Sequence, residues 1–379
     1  MKIVLNVILA KEKGMGGFNV AVSFFYKTLE DRDNEWYYFV SRVFDEEVRG
    51  LEHGLDSEHY YVFHPQPNIR YYFKDGKRIR QIEDIIQPDV IYSILAPSYH
   101  QFKTVEVMRC ANAWTVVGGV NKYAWMVTPL KYKIRYYLKA LVVRFLMRRT
   151  QFFVTQSQIA KQCILRTVST LPDNVCVVSN VLSEKYQKKS VVKTPHDRYN
   201  MVYASSPSVH KDYLLLPEVA HILKHTYEMN DFLIHITIPD YALSAFNQMI
   251  KRYNVENCFQ NHGFLSFEDL TQLYSQCDMG LFPSLLETFS ATLLEYMYYE
   301  LPIIASDLDF NREITENAAL YFHPHDAEDM AAKIFQVYSN DSLSAKLIKA
   351  GKRRLHIYTN NTDKFHEIVH YLEWVVGHS

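Results

Sequence analysis

The chain has 379 residues, which is enough for two domains of ordinary size, each with its own hydrophobic core. Hydrophobic residues make up 48% and charged residues 22%, and no run reaches the roughly 20 apolar residues of a membrane-spanning helix, which excludes a disordered or membrane-spanning chain. The formal net charge is −1, and the five cysteines form no C-x-x-C pair, so neither a disulfide framework nor a cysteine zinc site is expected.

The N-terminal half alternates short apolar runs with segments of helical period. This alternation predicts a doubly wound parallel sheet, because fully buried strands then alternate with covering helices. The predicted strands are residues 2–9, 37–40, 90–94, 114–117, 152–155 and 175–178, and the predicted helices are 17–30 and 78–86. Gly16 and Gly17 lie between the first strand and the first helix, where small residues allow either a close approach to a ligand or simply a tight turn.

The C-terminal half repeats the same alternation after a polar stretch without hydrophobic period, residues 185–198, which we interpret as a linker. Predicted strands follow at 201–204, 232–238, 279–282 and 302–305, and predicted helices at 213–225, 243–253, 267–277, 291–300 and 327–338. A last helix is predicted at residues 363–376. The sequence therefore predicts two α/β domains in tandem, at 1–184 and 199–356, with a C-terminal segment at 357–379.

Residues 283–297 carry the most specific pattern, in which a strand runs into a loop and then a helix. The loop places backbone N–H groups at the positive end of the helix, where phosphate oxygens bind well. Glu287 lies in the loop and Glu295 within the helix, so one carboxylate can face a bound sugar while the other accepts hydrogen bonds from a ribose diol. These features together predict a nucleotide-sugar pocket.

This segment resembles the retaining glycosyltransferases of family 4 (glycosyl transferases group 1), whose signature is two glutamates separated by seven residues, then a turn and a strand. The similarity continues through residues 300–307 and 312–314 to 324–326. The resemblance implies the GT-B fold, with two Rossmann-like doubly wound domains facing across a cleft. It also implies that residues 1–184 bind the acceptor, that residues 199–356 bind the nucleotide sugar, and that the last helix packs back on the N-terminal domain.

The resemblance assigns catalytic roles to Glu287 and Lys211, with Glu287 positioning the sugar and Lys211 offsetting the charge on the leaving diphosphate. The loop at 262–266 resembles the family's base-binding loop. The implied donor-binding residues are Glu295, Gly16, Gly17, Gly263, Phe264, Ser284, Thr288, Phe289 and Ser290.

Three positions depart from the family pattern. Family members usually carry an arginine about five residues before the lysine, where this chain has Ser205, Ser206 and Pro207, so Lys211 neutralises more of the charge, or Arg312 reaches in, or the enzyme is weak. Thr288 and Ser290 replace the usual glycines. The family's sugar-contacting histidine is absent from residues 117–121, and Asn121 or His100 is the candidate for that acceptor-side role.

The implied reaction is transfer of a sugar from a UDP- or GDP-sugar, with retained configuration, to a glycan or lipid-phosphate-linked acceptor in surface polysaccharide synthesis. No metal or other cofactor is expected, because the D-x-D patterns at 31–33 and 307–309 fall at a helix end and in the family's turn. Two alternatives remain open at this point. One is a nucleotide-sugar epimerase of similar architecture, and the other is a catalytically weak module that binds nucleotide sugars.

Charge is unevenly distributed, because residues 107–172 contain no acidic residue. Within them, Lys131 to Arg149 reads as a helix that interleaves basic residues with Tyr, Leu, Val and Phe, as expected for a helix lying on an anionic membrane. No helix-turn-helix or RNA-binding motif accompanies it, so we do not expect nucleic acid as a partner. The alternative is a core helix with a solvated basic face. The expected location is the cytoplasm, with possible peripheral contact with the inner face of the membrane.

Overall fold

A computed structural model describes residues 1–11, 16–49, 58–64, 69–116, 121–187, 191–359 and 361–379. The chain forms two compact units. The first consists of Met1–Val116, Arg135–Ser179 and Thr362–Ser379, and the second of Val117–Ile134 and Asn180–Asn361. The second unit thus includes residues 117–134, which the sequence-based ranges place in the N-terminal domain.

Strands and helices alternate through the first half of the chain. They are β1 (Lys2–Val7), α1 (Gly16–Glu30), β2 (Glu35–Ser41), α2 (Arg42–Val48), β3 (Tyr60–Phe63), α3 (Ile69–Ile86), β4 (Val90–Ser93), β5 (Glu106–Arg109), α4 (Ala113–Val116), α5 (Lys122–Val127), α6 (Leu130–Met147), β6 (Phe152–Thr155), α7 (Gln158–Thr167) and β7 (Val175–Val177). The seven strands form one parallel sheet in the order β3-β2-β1-β4-β5-β6-β7. The apolar strand runs are buried because helices cover both faces of such a sheet.

The second half repeats this arrangement on a second sheet. Its elements are α8 (Glu184–Gln187), β8 (Tyr199–Tyr203), α9 (Leu216–His225), β9 (Phe232–Ile236), α10 (Leu243–Tyr253), β10 (Phe259–Asn261), α11 (Phe267–Ser275), β11 (Met279–Phe282), α12 (Ala291–Tyr298), β12 (Ile303–Ser306), α13 (Asp309–Thr315), β13 (Ala319–Phe322), α14 (Ala327–Tyr338), α15 (Asp341–Leu355) and α16 (Asn361–His378). The parallel strand order is β10-β9-β8-β11-β12-β13. Helix α16 packs on the first unit, where the Phe365 ring lies 5.2 Å from that of Phe24.

None of the helices in the described ranges combines the length and apolarity that crossing a bilayer requires. The predicted alternation of strands and helices is confirmed, and α10, β11 and α14 have the predicted bounds. The predicted linker begins within α8, and its residues 188–190 lie outside the described residues.

One predicted strand, at residues 114–117, is wrong. Residues Ala113–Val116 form the short helix α4, whose start is fixed by Asn112, because its side-chain oxygen accepts a hydrogen bond from the Thr115 N–H at 3.3 Å. The strand in this part of the sheet is β5, which the sequence analysis missed, since the charged residues Glu106 and Arg109 leave only two apolar residues between them. Residue 117 lies outside the described residues.

Glu106 is a buried carboxylic acid in the first unit. Its carboxylate accepts hydrogen bonds from the hydroxyls of Ser93 and Ser98, and the Asn6 amide donates to Ser93 Oγ at 2.9 Å and to Ser98 Oγ at 3.0 Å. Burial raises the pKa of Glu106 to about 7, although the two serine hydrogen bonds oppose this shift. The folded first unit therefore favours the protonated form of this acid.

This raised pKa predicts how stability depends on pH. Between the ordinary pKa of 4.5 and about 7, the unfolded chain ionises Glu106 while the folded chain resists, so the free energy of unfolding falls as pH rises. Wild type should lose roughly 3 kcal/mol of unfolding free energy over this pH window, and the Glu106→Gln variant should not lose it. Urea denaturation at several pH values measures both. The exposed Glu46→Gln variant is the control. Parallel pH curves for wild type and Glu106→Gln would contradict the prediction.

Candidate functional site

The loop between β11 and α12 holds Glu287 at the carboxyl end of the second sheet. Ser284, only 1% exposed, donates from its hydroxyl to Glu287 Oε1 at 2.9 Å. Ser306, the last residue of β12, donates from its hydroxyl to the Ser284 carbonyl oxygen at 2.5 Å. The loop is therefore fixed to the ends of two neighbouring strands, the edge where ligands bind in open α/β sheets.

Lys211 meets Glu287 at this edge. Lys211 ends a short 3-10 turn, Val209–Lys211, that follows β8, and its ammonium forms an ion pair with Glu287 Oε1. The two side chains are 15% and 12% exposed. The structure thus brings the two predicted catalytic residues into direct contact. A largely desolvated ammonium in this position retains N–H donors for an anion.

Glu295 lies on α12 and is held by two tyrosines. Its Oε2 accepts a hydrogen bond from the Tyr274 hydroxyl at 2.7 Å, and the Tyr186 hydroxyl also bonds to this carboxylate. Burial raises the pKa of Glu295, while the hydrogen bonds from Tyr274 and Tyr186 oppose the shift. Neither tyrosine role was predicted from the sequence, since Tyr186 falls in the predicted linker and Tyr274 in a neighbouring helix.

Thr288 and Ser290, which replace the family's usual glycines, lie just before α12. Ser290 has an ordinary extended backbone with φ −121°, and neither it nor Thr288 is among the non-glycine residues with positive φ. Both are buried, and the Phe289 ring packs 5.6 Å from that of Tyr358. The N-cap residue Ser290 makes no side-chain capping bond to α12, so its side chain does not occupy the first-turn N–H groups at the positive end of this helix.

The loop after β10 has the geometry expected of a glycine turn. Gly263 adopts φ +64°, a conformation that favours glycine, and Phe264 beside it is 87% exposed. The loop is anchored through His262, whose Nε2 shares a hydrogen bond with His235 Nδ1 at 2.9 Å. Burial lowers the pKa of His235 to about 4 and also lowers that of His262. An exposed aromatic ring on an anchored turn is suited to stacking on a base.

The two predicted acceptor-side residues belong to different units. Asn121 lies in the second unit, where its side chain accepts from the Ala124 N–H at 3.0 Å and donates to the Leu285 carbonyl oxygen, two residues before Glu287. His100 lies in the first unit, buried against Gly76, and burial lowers its pKa. Their proposed contacts with a sugar stay predictions. Residues 117–120, the family's histidine region, lie outside the described residues.

Gly16 and Gly17 begin α1 in the first unit. A Cβ added at Gly17 would lie 3.3 Å from a methyl group of Leu95, whereas Gly16 has open space around it. Close packing therefore accounts for Gly17, and donor binding by either glycine stays a prediction.

Arg312 is engaged within its own segment. Its guanidinium pairs with both carboxylate oxygens of Asp307, with 2.8 Å between Nη2 and Oδ2, and lies 4.3 Å from the Tyr321 ring centroid. Replacement of the missing arginine by Arg312 stays a prediction. Within the described ranges, no three His, Cys, Asp or Glu side chains converge as a metal site would require.

Asp212, which follows Lys211, has a left-handed backbone with φ +52°. Its buried carboxylate oxygens both lie 2.9 Å from His325 Nδ1. This hydrogen bond raises the pKa of His325, while burial raises the pKa of Asp212. This contact joins the end of the Lys211 turn to the segment after β13, and it was not predicted from the sequence.

The Asp212 backbone predicts a ranking of variants. Asp212→Ala keeps an unfavourable φ and loses the bond to partly exposed His325, at a cost of about 1 kcal/mol of unfolding free energy. Asp212→Gly also loses the bond but tolerates positive φ, so it should be more stable than the alanine variant by about 1 kcal/mol. Urea denaturation measures both. An alanine variant as stable as the glycine variant would contradict the strain argument.

Residues 185–354 match the family model described as glycosyl transferases group 1. The chain is 26% identical over 204 residues to the O-antigen chain mannosyltransferase RfbU of Salmonella typhimurium. That alignment covers 52% of this chain and 55% of the relative, so the chain spans about half the length of this curated relative. The match to the family includes every residue of the Lys211, Glu287 and Glu295 cluster.

Two solved structures are similar over their whole length. A glycosyltransferase from Rickettsia africae has a TM-score of 0.74 and 16% identity, covering 100% of this chain and 99% of its own. Anabaena Alr3699/HepE, solved in complex with UDP-glucose, has a TM-score of 0.72 and 15% identity, covering 98% of this chain and 99% of its own. At these identities the likeness establishes the fold, which is GT-B, and the predicted fold class is confirmed.

Proposed function

We propose that this chain, which has the GT-B fold and matches glycosyl transferases group 1 over residues 185–354, moves a sugar from a nucleoside-diphosphate sugar with retained configuration. The observation that carries the proposal is the Lys211–Glu287 ion pair in the loop that leads into α12, whose N-cap residue Ser290 makes no side-chain capping bond. An ammonium and a helix N-terminus both stabilise a leaving diphosphate, and neither would be needed by an ordinary core loop.

In the proposed reaction, the diphosphate competes with Glu287 for the Lys211 ammonium. Glu287 then turns to the hydroxyls of the sugar and positions it without attacking. The bond between the anomeric carbon and the phosphate oxygen breaks as the acceptor oxygen bonds to the same face, and the acceptor proton passes to the leaving phosphate oxygen. Positive charge is supplied by Lys211 and the amides of α12, so the scheme needs no metal.

The nucleoside would lie beside Glu295. The Glu295 carboxylate accepts hydrogen bonds from Tyr274 and Tyr186, and two of its roughly four lone-pair sites are left for the ribose diol. Phe264 and the backbone at Gly263 would contact the base. The proposed donor is a UDP- or GDP-sugar, and Anabaena Alr3699/HepE, which was solved with UDP-glucose, supports the first of these.

The proposed acceptor is a glycan or a lipid-phosphate-linked glycan of surface polysaccharide synthesis, handled at the cytoplasmic face of a membrane. The similarity to RfbU, an O-antigen chain mannosyltransferase, supports this class of acceptor and a hexosyl donor. The family match does not favour the epimerase alternative.

A second candidate is a module that binds nucleotide sugars with little transfer. One observation favours it: residues 205–207 supply no cation, and Arg312 is paired with Asp307. Incubation with a panel of UDP- and GDP-sugars and membrane lipid acceptors, followed by mass detection of transferred sugar, separates the two. Donor binding without transfer would favour the second candidate.

Substitution of the two glutamates tests the proposed transferase. Glu287→Ala should lower kcat by about 10²- to 10³-fold, because it removes a contact formed with the reacting sugar, whereas Glu295→Ala should chiefly raise the KM for the donor. The exposed Glu328→Ala variant on α14 is the matched control. Circular dichroism checks that each variant is folded. Undiminished transfer by the Glu287→Ala, Glu295→Ala double variant would overturn the assignment.

A further inference from the structure

Helix α6, Leu130–Met147, has apolar residues on two faces. The inward face includes the buried residues Val143, Leu146 and Met147, and the Tyr136 ring stacks on that of Trp114 with 4.3 Å between centroids. These contacts account for the position of the helix in the fold. They leave the apolar residues of its other face unexplained.

That other face forms a continuous apolar stripe. With 100° between successive residues of a helix, the stripe residues fall within a sector about 100° wide. All are exposed, from 46% for Leu141 to 72% for Leu130. The stripe residues are Leu130, Ile134, Tyr137, Leu138, Leu141 and Phe145. Scattered exposed apolar residues are ordinary, but a contiguous stripe over four turns indicates a binding surface.

Basic residues flank the stripe on both sides. Lys133 and Arg144 lie along one edge, and Lys131 and Arg135 along the other, with Lys139 farther round the helix. No acidic residue occurs anywhere in residues 107–172 to balance them. Long basic side chains at the edges of an apolar surface can lie along it while their charged ends reach polar groups.

We propose that this face of α6 docks on an anionic lipid bilayer, with the stripe in the interfacial region and the flanking cations against lipid phosphates. Acyl chains complement the stripe and anionic headgroups complement its borders. A nucleic acid would satisfy the cations but leave six large apolar residues against a polar backbone. A second copy of the chain would bring two sets of uncompensated cations together, which is unfavourable.

Docking of this face on a bilayer does not require the proposed transferase activity. The advantage that docking would give the protein rests on that activity. A bilayer at α6 would hold the protein where lipid-linked acceptors reside. The docked helix lies parallel to the membrane in this arrangement, because its stripe runs along the whole helix axis.

Vesicle co-sedimentation tests the proposal with the full-length chain. Wild type should bind vesicles of phosphatidylcholine and phosphatidylglycerol more strongly than phosphatidylcholine alone. A stripe variant, Ile134→Gln, Leu138→Gln, Phe145→Gln, and a flank variant, Lys131→Gln, Lys133→Gln, Arg135→Gln, should each lower the partition coefficient at least about tenfold. Binding of wild type to the anionic vesicles should weaken as the salt concentration is raised.

Matched controls carry the same changes elsewhere. Ile85→Gln, Leu171→Gln, Val192→Gln removes three exposed apolar residues, and Lys346→Gln, Lys349→Gln, Arg353→Gln removes three exposed cations from α15, so both should bind as wild type. The Glu287→Ala variant should also bind as wild type. Vesicle binding is measured without a donor, so failure of sugar transfer leaves the docking result intact.

Three results would overturn the proposal. One is a stripe variant that binds anionic vesicles as wild type does, and another is equal binding to neutral and anionic vesicles. The third is evidence for a different occupant, either a DNA duplex bound in preference to vesicles or a dimer, detected by light scattering, that the stripe substitutions convert to monomer.

Discussion

The ion pair between Lys211 and Glu287 is the interaction on which the account of the second unit depends. Burying both charges away from water is costly unless they form an ion pair. The ion pair requires that β8 and β11 be adjacent in the sheet, and the parallel pairing of Met201 with Met279 shows that they are. The turns that follow these two strands then emerge side by side. A contact between residues 76 positions apart thus follows from the strand order.

The surrounding loop is fixed by backbone groups. The Leu285 N–H donates to the His210 carbonyl at 2.7 Å, while its own carbonyl accepts from the Asn121 amide. The peptide unit between Ser284 and Leu285 is therefore held at its carbonyl by Ser306 and at its N–H by His210, and Asn121 holds the carbonyl of the following unit. Such a loop keeps Glu287 in place before any ligand arrives, and a preorganised polar site needs little rearrangement when charge develops. The Asn121 bond also joins the start of α5 to this loop of the second unit.

Much of this could be predicted from the sequence, because buried parallel strands read as apolar runs and the glutamate spacing is local. The failures have physical reasons. β5 was missed because its ends, Glu106 and Arg109, are buried ionisable residues, and residues 114–116 form a helix despite side chains that favour strands. The contacts of Tyr186 with Glu295 and of His325 with Asp212 join residues far apart in sequence. No local pattern specifies such pairings, which depend on the register of whole elements.

The central claim is that Lys211 binds the diphosphate in competition with Glu287. Calorimetric titration of UDP and GDP into wild type, Lys211→Met, Glu287→Gln and the double variant tests it most directly. The account predicts that Lys211→Met weakens diphosphate binding at least about tenfold, since a charged contact is lost, while Glu287→Gln maintains or strengthens it by freeing the ammonium. Unchanged diphosphate affinity in Lys211→Met would contradict the account.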